Sequence, residues 1–229
     1  MTVGVASLAS LALATKAVVL MPHTTIGYVG SAFMMYLGYE FADFGSGVYH
    51  WSLDNYGSAR TPILGKQIEG FQGHHTMPWT ITHRQTINNI APVCLATLTP
   101  TLAFLLSPAL SNPFLLTWAW SALLFINLSQ EIHKWSHSHP KDLHPAVQFL
   151  QSSNLLLKPK AHMAHHKKPF ESNYCIVSGH CNEYLDRVGF FRKLEEVVED
   201  ATGNKPRCQT EEVFEDIVVK SKQQRGVFE

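Results

Sequence analysis

Residues 85–130, QTINNIAPVCLATLTPTLAFLLSPALSNPFLLTWAWSALLFINLSQ, contain no Asp, Glu, Lys or Arg. A helix of a soluble protein needs a polar face, and this stretch offers no charged one over its whole length. The hydrocarbon core of a bilayer takes about 20 apolar residues per helical span. The stretch therefore predicts two membrane-spanning helices, near 88–107 and 113–132, joined at the proline-containing turn 107–113.

The N-terminal region predicts two further spans. Lys16 is the only charged residue before Glu40, and apolar residues dominate 2–20 and 26–49 on either side of a short turn. These 20 first residues can also be read as a removed targeting sequence, although they lack a basic n-region and a clear cleavage site. With all four helices as spans, the predicted fold is an all-α, multi-pass integral membrane protein.

An even number of spans places both termini on one side of the membrane. Seventeen of the 18 Lys and Arg residues then lie on that side, which the positive-inside tendency identifies as cytoplasmic or stromal. No repeat or second domain is visible, so residues 1–229 are predicted to form one membrane-bound domain with a polar tail at 208–229.

Charge and cysteine content exclude some functions. The net charge of +0 gives no reason to expect a nucleic-acid partner. The four cysteines show no CxxC spacing, which argues against a zinc ribbon or a disulfide framework.

Eight of the 13 histidines form four groups, and these groups carry the functional prediction. On a helix, residues three and four apart share a face, so the members of His-x-x-x-His and His-x-x-His-His point together. Each group follows or ends a predicted span on the same side of the membrane. The predicted metal ligands are His50, His74, His75, His133, His137, His162, His165 and His166.

Eight imidazoles exceed the needs of one tetrahedral zinc ion and suit two metals. Nitrogen ligation with open positions favours redox-active iron that binds O2 over hard ions such as magnesium. Residues 130–133, Gln-Glu-Ile-His, do not form the His-Glu-x-x-His pattern of zinc proteases. The histidines lie at span ends, whereas a bis-histidine haem needs them deep in facing helices.

Four further polar residues are predicted to support the metals. Asp43, Gly47, His50 and Asp54 lie on one helical stripe that leads from the membrane to the site. Asp43 and Asp54 are expected to hold imidazole rings from behind, and Asp54 can also serve as a ligand itself. Asn88 and Asn89, at the start of the third span, can orient bound water or a lipid head group, or can simply cap the helix.

The motifs as a set resemble the lipid desaturase family. They are Phe71-Gln-Gly-His-His75, Ile132-His-Lys-Trp-Ser-His137, the segment from Phe41 to Gly57, and His162-Met-Ala-His-His166 followed by Asn173-Tyr-Cys175. The resemblance extends over about residues 40–207. It implies an O2-dependent diiron desaturase of an endoplasmic reticulum or plastid membrane, with two iron ions, a membrane phospholipid substrate and an electron donor such as cytochrome b5 or ferredoxin.

Two branches of that family are plausible. Residues 54–57, 67–75 and 78–82 resemble the plastid branch, which desaturates the acyl chain of phosphatidylglycerol, whereas 133–137, 189–195 and 202–207 resemble the plasmanylethanolamine desaturases. The acyl-lipid branch is slightly favoured, because Gly73 and Ala161 replace residues typical of the ether-lipid branch. Alternatives are a lipid hydroxylase with the same metals and a non-enzymatic metal-binding membrane scaffold or transporter.

Basic residues near the predicted site have two readings. They can meet a lipid phosphate or an acidic electron donor, and a solvated cytoplasmic face would also explain them. These residues are Arg84, Lys158, Lys160, Lys167 and Lys168.

Overall fold

The protein is described by a computed structural model that covers residues 1–209. Within that range the chain is all helical and has no β-strand. The helices are α1 (Thr2–Leu20), α2 (Thr25–Asn55), α3 (Gly65–His74), α4 (Thr86–Leu106), α5 (Pro113–His137), α6 (Pro145–Ser152), α7 (Pro159–His165), α8 (His180–Arg187) and α9 (Phe190–Thr202). The predicted all-α class is confirmed for these residues. Most of the predicted polar tail, residues 210–229, lies outside them.

Four long helices, α1, α2, α4 and α5, pack together and supply the scaffold. The α2–α5 contact is close because Gly38 leaves no room for a Cβ beside the Trp118 carbonyl oxygen. The Ser121 hydroxyl of α5 donates a hydrogen bond of 2.7 Å to the Met35 carbonyl of α2. Small residues and interhelical hydrogen bonds of this kind are typical of helices that associate in apolar surroundings.

Lys16, the lone charge of α1, has a defined role in this packing. Its ammonium group donates to the carbonyl oxygens of Phe104 at 3.1 Å and Leu105 at 2.9 Å, at the C-terminal end of α4. The last carbonyls of a helix lack intrahelical partners and carry partial negative charge. Lys16 therefore links α1 to α4 and satisfies the end of that helix.

Two of the described helices, α1 and α4, are long and apolar enough to cross a membrane. Helices α2 and α5 are longer, and they carry acidic residues such as Asp43 and Glu131 that are buried in the protein. The outer side of α2 nevertheless exposes large apolar side chains, including Val29, Phe33 and Phe41. The short helices α3 and α6–α9 lie at the end of the bundle where α2 and α5 end.

Shorter helices close that end. The amphipathic pattern at 190–201 predicts α9, which ends at Gly203 with a positive φ of 72°. Its Phe191 is buried against Trp51 and Tyr174, so the apolar face of α9 packs on α2 and on the segment between α7 and α8. The apolar run at 146–157 predicts a short helix, and α6 begins near it at Pro145 but ends at Ser152, five residues before the end of that run.

Candidate metal centre

All eight predicted histidines and Asp54 meet at one end of the helical bundle. Helix α2 continues past the predicted span and presents His50 and Asp54 one turn apart, while α3 ends at the His74–His75 pair. The last turns of α5 contribute two histidines and α7 with its C-cap contributes three. Their donor atoms fall into two groups, each with its atoms within 4.8 Å of one another.

The first group, here the five-histidine cluster, contains His74, His133, His137, His162 and His166. The Nε2 atoms of His74 and His137 are 2.9 Å apart, those of His137 and His133 are 3.3 Å apart, and those of His166 and His162 are 3.1 Å apart. Two imidazole nitrogens bound about 2.1 Å from one ion are separated by about 3 Å when they are adjacent ligands. The spacing therefore fits nitrogens gathered around a single metal.

The second group, here the aspartate cluster, contains His50, His75, His165 and Asp54. The Oδ2 atom of Asp54 lies 3.2 Å from His50 Nε2, 3.0 Å from His75 Nε2 and 3.3 Å from His165 Nε2. The sequence left two roles for Asp54, holding imidazole rings from behind or acting as a ligand itself. Its Oδ2 lies among the ring nitrogens, as a fourth donor of this group.

Backbone carbonyls fix the orientation of two rings in the aspartate cluster. His50 Nδ1 lies 3.0 Å from the Tyr174 carbonyl oxygen, and His165 Nδ1 lies 2.7 Å from the Ser172 carbonyl oxygen. A carbonyl only accepts, so both Nδ1 atoms carry the proton and both neutral rings direct an Nε2 lone pair at Asp54. Lone pairs facing a carboxylate repel one another unless a cation lies between them, and a metal ion meets that requirement.

The protonation state of the rings also suits a metal. Burial, followed by the charges of neighbouring imidazoles, holds the pKa of His162 well below its usual value. Burial likewise lowers the pKa of His165 and His74, and it lowers the pKa of His137 to about 4. Neutral imidazole is the form that ligates metals. At neutral pH these rings are therefore ready to bind.

Several buried nitrogen and oxygen atoms of the two clusters have no hydrogen-bond partner within residues 1–209. They are His50 Nε2, His165 Nε2, both nitrogens of His75, both carboxylate oxygens of Asp54 and the Nδ1 atoms of His133, His162 and His166. Buried polar atoms are normally paired, so such a concentration indicates a missing partner. The Nε2 and carboxylate atoms in this set fit metal ions as that partner, and imidazole with carboxylate is a suitable donor set for non-haem iron.

Asp43 is placed differently from the expectation, because its carboxylate binds backbone amides. Its Oδ1 accepts hydrogen bonds from the amides of Val177, Ser178 and Gly179, and its Oδ2 accepts one from Cys181. This fastens residues 172–181, here called the strap, to α2. Gly47 lets the strap approach, since a Cβ there would overlap Cys175 Sγ.

Asn173-Tyr-Cys175 of the strap belongs to the sequence motifs, but the sequence does not show what the backbone of the strap does. Its backbone supplies the carbonyls of Ser172 and Tyr174 that orient His165 and His50. Tyr174 is fully buried, and its hydroxyl donates to the Phe170 carbonyl and accepts from Asn55. A backbone carbonyl leaves no signature in residue identity, and only the strict burial of Tyr174 hints at the role.

The two asparagines at the start of α4 differ in burial and in contacts. Asn89 is buried, and its Nδ2 donates to the Gln130 carbonyl at 2.7 Å and to Glu131 Oε2 at 3.2 Å. Asn88 is exposed. Asn89 therefore joins α4 to α5, through a buried acid that lies two residues before His133. An acid at the end of an apolar run is a sequence signal of a functional residue, and this signal could have identified Glu131.

The five other histidines lie outside both clusters. His139 and His144 accept hydrogen bonds from backbone amides at the start of short helices, and His23 lies 3.3 Å from the hydroxyl of Tyr28. His180 pairs with Glu40 at 2.7 Å. His83 ends a short 3-10 helix.

A cavity of about 1300 Å³ leads to the five-histidine cluster. It is lined by α3, the segment that follows it, and the first half of α4, and it reaches His74 and His133. Asn88, Asn89, Pro92 and Val93 line it along α4. Of the two clusters, the five-histidine cluster is the one with ligands in this wall.

Comparison with known proteins gives a consistent family. A family model described as a lipid desaturase domain matches residues 39–209. The chain is 45% identical over 180 residues to "Fatty acid desaturase 4, chloroplastic" of Arabidopsis thaliana, covering 77% of this chain and 54% of that protein. It is 43% identical over 183 residues to "Fatty acid desaturase 4-like 1, chloroplastic" of the same plant, covering 79% and 60%.

A mammalian protein is also similar. "Plasmanylethanolamine desaturase 1" of Mus musculus is 35% identical over 195 residues, covering 82% of this chain and 69% of that protein. The matched region spans little more than half of each plastid relative. No solved structure is significantly similar to the chain.

Proposed function

The chain belongs to the lipid desaturase family, and we propose that it is an O2-dependent diiron enzyme that introduces a double bond into a chain of a membrane glycerophospholipid. The observation that supports this most directly is the pair of adjacent clusters, five imidazoles beside three imidazoles and a carboxylate. Two neighbouring sites of nitrogen and oxygen donors suit a pair of redox-active iron ions.

In the proposed site, Asp54 and eight histidines are the ligands. His74, His133, His137, His162 and His166 would hold one iron, and His50, His75, His165 and Asp54 would hold the other. Asp43 acts at a distance, by fixing the strap whose carbonyls orient two of these rings.

Bound iron would supply the activation of O2 and the removal of two hydrogens from neighbouring carbons, while two electrons from a donor and two protons complete the reduction of O2 to two waters. The protein holds the protons of His50 and His165 at Nδ1, so that their Nε2 atoms stay available. Complete burial of His50, His162 and His165 excludes bulk water from the ligands. The cavity directs the substrate chain towards His74 and His133.

The favoured substrate is an acyl chain of a phospholipid. Identity to the two plastid fatty acid desaturases is 45% and 43%, against 35% to the plasmanylethanolamine desaturase. The ether-lipid reaction, which forms a vinyl ether, is the second candidate because that relative aligns over more of its own length. A hydroxylase would use the same metals and differ only in its product.

We place the four long helices across a membrane of the endoplasmic reticulum or a plastid, with the metal centre on the cytoplasmic or stromal side. Support comes from the apolar composition of α1 and α4 and from the apolar residues exposed on α2. The polar loops and short helices lie at the end of the bundle that carries the histidines. This orientation can be tested with a protease added to sealed vesicles whose cytoplasmic or stromal face is outside. Cleavage at Lys160 and Lys167 is expected, and protection of both residues from the protease would contradict the orientation.

An electron donor with an acidic face, such as cytochrome b5 or ferredoxin, would bind around α7. Exposed Lys160, Lys167 and Lys168 surround the ligand-bearing helix, together with the half-exposed Met163. Such charges raise the rate of encounter with an acidic partner and lose effect as salt increases. The double variant Lys160→Gln/Lys167→Gln should raise the apparent KM for the donor about threefold at low salt, and an unchanged KM would contradict this docking site.

The central experiment is lipid analysis with the purified full chain. Iron is quantified per chain, and the protein is then given phosphatidylglycerol or plasmanylethanolamine with O2 and an electron donor. Mass spectrometry that separates unsaturated acyl, vinyl-ether and hydroxylated products identifies the reaction. Desaturation that is lost in His133→Ala/His137→Ala supports the proposal. A preparation without iron, or full activity in that double variant, overturns it, and a hydroxylated product assigns the hydroxylase alternative.

A further inference from the structure

The cavity that reaches His74 and His133 is lined by an excess of positive charge. Its walls contain five basic side chains, Arg60, Lys66, Arg84, Lys205 and Arg207, and a single acidic one, Glu69. Arg60, Lys66 and Arg84 are exposed, so they lie on the open side of the cavity. A concave surface with this imbalance attracts an anion.

The backbone of Arg84 is held in place by a partly buried hydrogen-bond network. The ammonium group of Lys134 donates to the Arg84 carbonyl at 2.9 Å and pairs with Glu131 at 3.2 Å. Glu131 in turn accepts from the Thr86 hydroxyl at 2.8 Å. The network joins the start of α4 to the last turns of α5, so Arg84 has a fixed location relative to His133.

Exposed apolar side chains adjoin the cavity-lining segments in sequence. Ile63, Trp79 and Ile87 are 98%, 50% and 53% exposed, and each lies in the chain close to residues that line the cavity. Ile63 also has a positive φ of 66°, which is rare for a β-branched residue and is usually retained for function. Exposed apolar and basic side chains together are typical of a surface that sits among lipid head groups.

Deeper in the cavity the lining becomes suited to a chain. Pro92 and Val93 follow Asn89 along α4 and line the cavity together with His133. Asn89 is 3% exposed and its Oδ1 has no hydrogen-bond partner within residues 1–209. This buried acceptor is available to a head-group hydroxyl of a phospholipid such as phosphatidylglycerol, with the apolar chain continuing beyond it.

We propose that this cavity binds a glycerophospholipid from the bilayer, with its phosphate at Arg84, assisted by Arg60 and Lys66, and one chain directed past Asn89 to His133. The proposal rests on the proposed function, since it assigns the substrate's anionic group to a particular part of that site. Arg84 is then a specificity residue that touches the substrate phosphate. Guanidinium is well suited to this, because it offers paired donors to phosphate oxygens.

Binding to the full-length purified protein in neutral detergent tests the assignment without requiring turnover. The probes are dioctanoyl phosphatidylglycerol, dioctanoylglycerol, which lacks the phosphate, and glycerophosphoglycerol, which lacks the chains. Arg84→Gln should weaken binding of the phospholipid about tenfold, the expected cost of one charge-assisted contact. It should leave dioctanoylglycerol binding unchanged, and Arg84→Lys should restore part of the loss. Lys193→Gln, an exposed cation on α9 away from the cavity, is the matched control and should bind like the wild type.

Each outcome separates the possibilities. Unchanged phospholipid binding in Arg84→Gln, with the thermal midpoint and metal content of the wild type, overturns the phosphate site. Glycerophosphoglycerol binding as tightly as the phospholipid also overturns it, since the cavity would then serve a soluble phosphate ester. Phosphate-dependent binding without any desaturation would leave this site in place and count against the proposed function instead. Desaturation by Arg84→Gln as efficient as that by the wild type would count against the phosphate site and leave the proposed function in place.

Discussion

The two ligand clusters differ in how the protein holds them. In the aspartate cluster, two rings are fixed by strap carbonyls, and a carboxylate stands among the ring nitrogens. In the five-histidine cluster, the rings mainly contact one another, and the Nδ1 atoms of His133, His162 and His166 have no hydrogen-bond partner within residues 1–209. One site is therefore oriented by the backbone, whereas the other relies on helix packing and on the metal itself.

The clusters also differ in position and number of donors. The five-histidine cluster adjoins the cavity and has one donor more than the aspartate cluster. Neighbours in sequence are divided between them, since His74 and His166 belong to the first and His75 and His165 to the second. Each His-His pair therefore spans both proposed metals. This contrast predicts unequal responses to substitution.

The largest effect is expected from Asp54→Ala. It removes the only anionic ligand of the four-donor site and leaves three imidazoles, so the metal content should fall from two ions towards one per chain. Activity should drop at least about 100-fold, beyond the usual effect of losing a partner outside the ligand shell. Metal analysis and lipid turnover measure both. Asp142→Asn, an exposed acid in a short turn, is the control, and retention of two ions in Asp54→Ala would show that Asp54 is not a ligand.

A smaller effect is expected from His137→Ala in the five-donor site. Four imidazoles remain, so the metal content should stay near that of the wild type while activity falls about 10–100-fold. The control is His139→Ala, two residues along the chain, whose ring caps a backbone amide outside the cluster. Equal loss of metal in His137→Ala and Asp54→Ala would remove the proposed asymmetry between the sites.

Asp43→Ala tests whether the strap orients the aspartate cluster. Four amides, two buried and two partly buried, lose their acceptor. This should lower the free energy of unfolding by about 3 kcal/mol and weaken metal binding about tenfold. Ser46→Ala is the graded comparison, because the Ser46 hydroxyl accepts only one strap amide, that of Ile176 at 3.0 Å. Thermal unfolding and competition with a chelator report the two quantities. Weakened metal binding in Ser46→Ala that matched Asp43→Ala would contradict the graded role.

The smallest effect concerns pH and the far end of the strap. Burial acts to lower the pKa of His180, but Glu40 and the Asn154 carbonyl outweigh it and raise this pKa above its usual value. The two ring nitrogens face these acceptors at 2.7 Å each, which favours the doubly protonated ring. Because the folded pKa is raised, the stabilisation is complete below the unfolded pKa of about 6.5 and is lost as pH rises through the folded value.

The wild type should accordingly lose more thermal stability between pH 6 and pH 9 than His180→Gln. A difference on the order of one degree is expected for a half-exposed ion pair. Identical pH profiles for the two proteins would mean that the ring is not charged in the folded state. Metal binding should be the same in both, since His180 lies outside the ligand clusters.

The helices were predictable from residue type and length. Apolar runs at 2–20, 26–49, 88–107 and 113–132 coincide with α1, α2, α4 and α5, because long apolar runs with at most two charged residues each are typical of membrane-spanning helices. The ends were less predictable: α2 runs on to Asn55 and α5 to His137, since helix continuation depends on packing at the polar end. Their crossing of a membrane stays a prediction.

The sequence by itself determined which residues are the candidate metal ligands. Two of the four histidine groups have members at helical spacing, and all four lie on the same side of the predicted spans. This was sufficient to select His50 and its seven partners as candidates, because residues three and four apart share a helix face. Spacing along the chain also placed Asp43 and Asp54 on the same stripe of α2.

Only the tertiary structure decided how those residues divide. It placed His74 and His75, and likewise His165 and His166, in different clusters, brought Asp54 among the nitrogens of the second cluster, and showed that Asp43 binds the strap. It also revealed the carbonyls of Ser172 and Tyr174 and the basic cavity beside His133. The physical reason is that local spacing fixes only the direction of a side chain on its own helix, whereas ligand partners, backbone acceptors and cavities arise between elements distant in sequence.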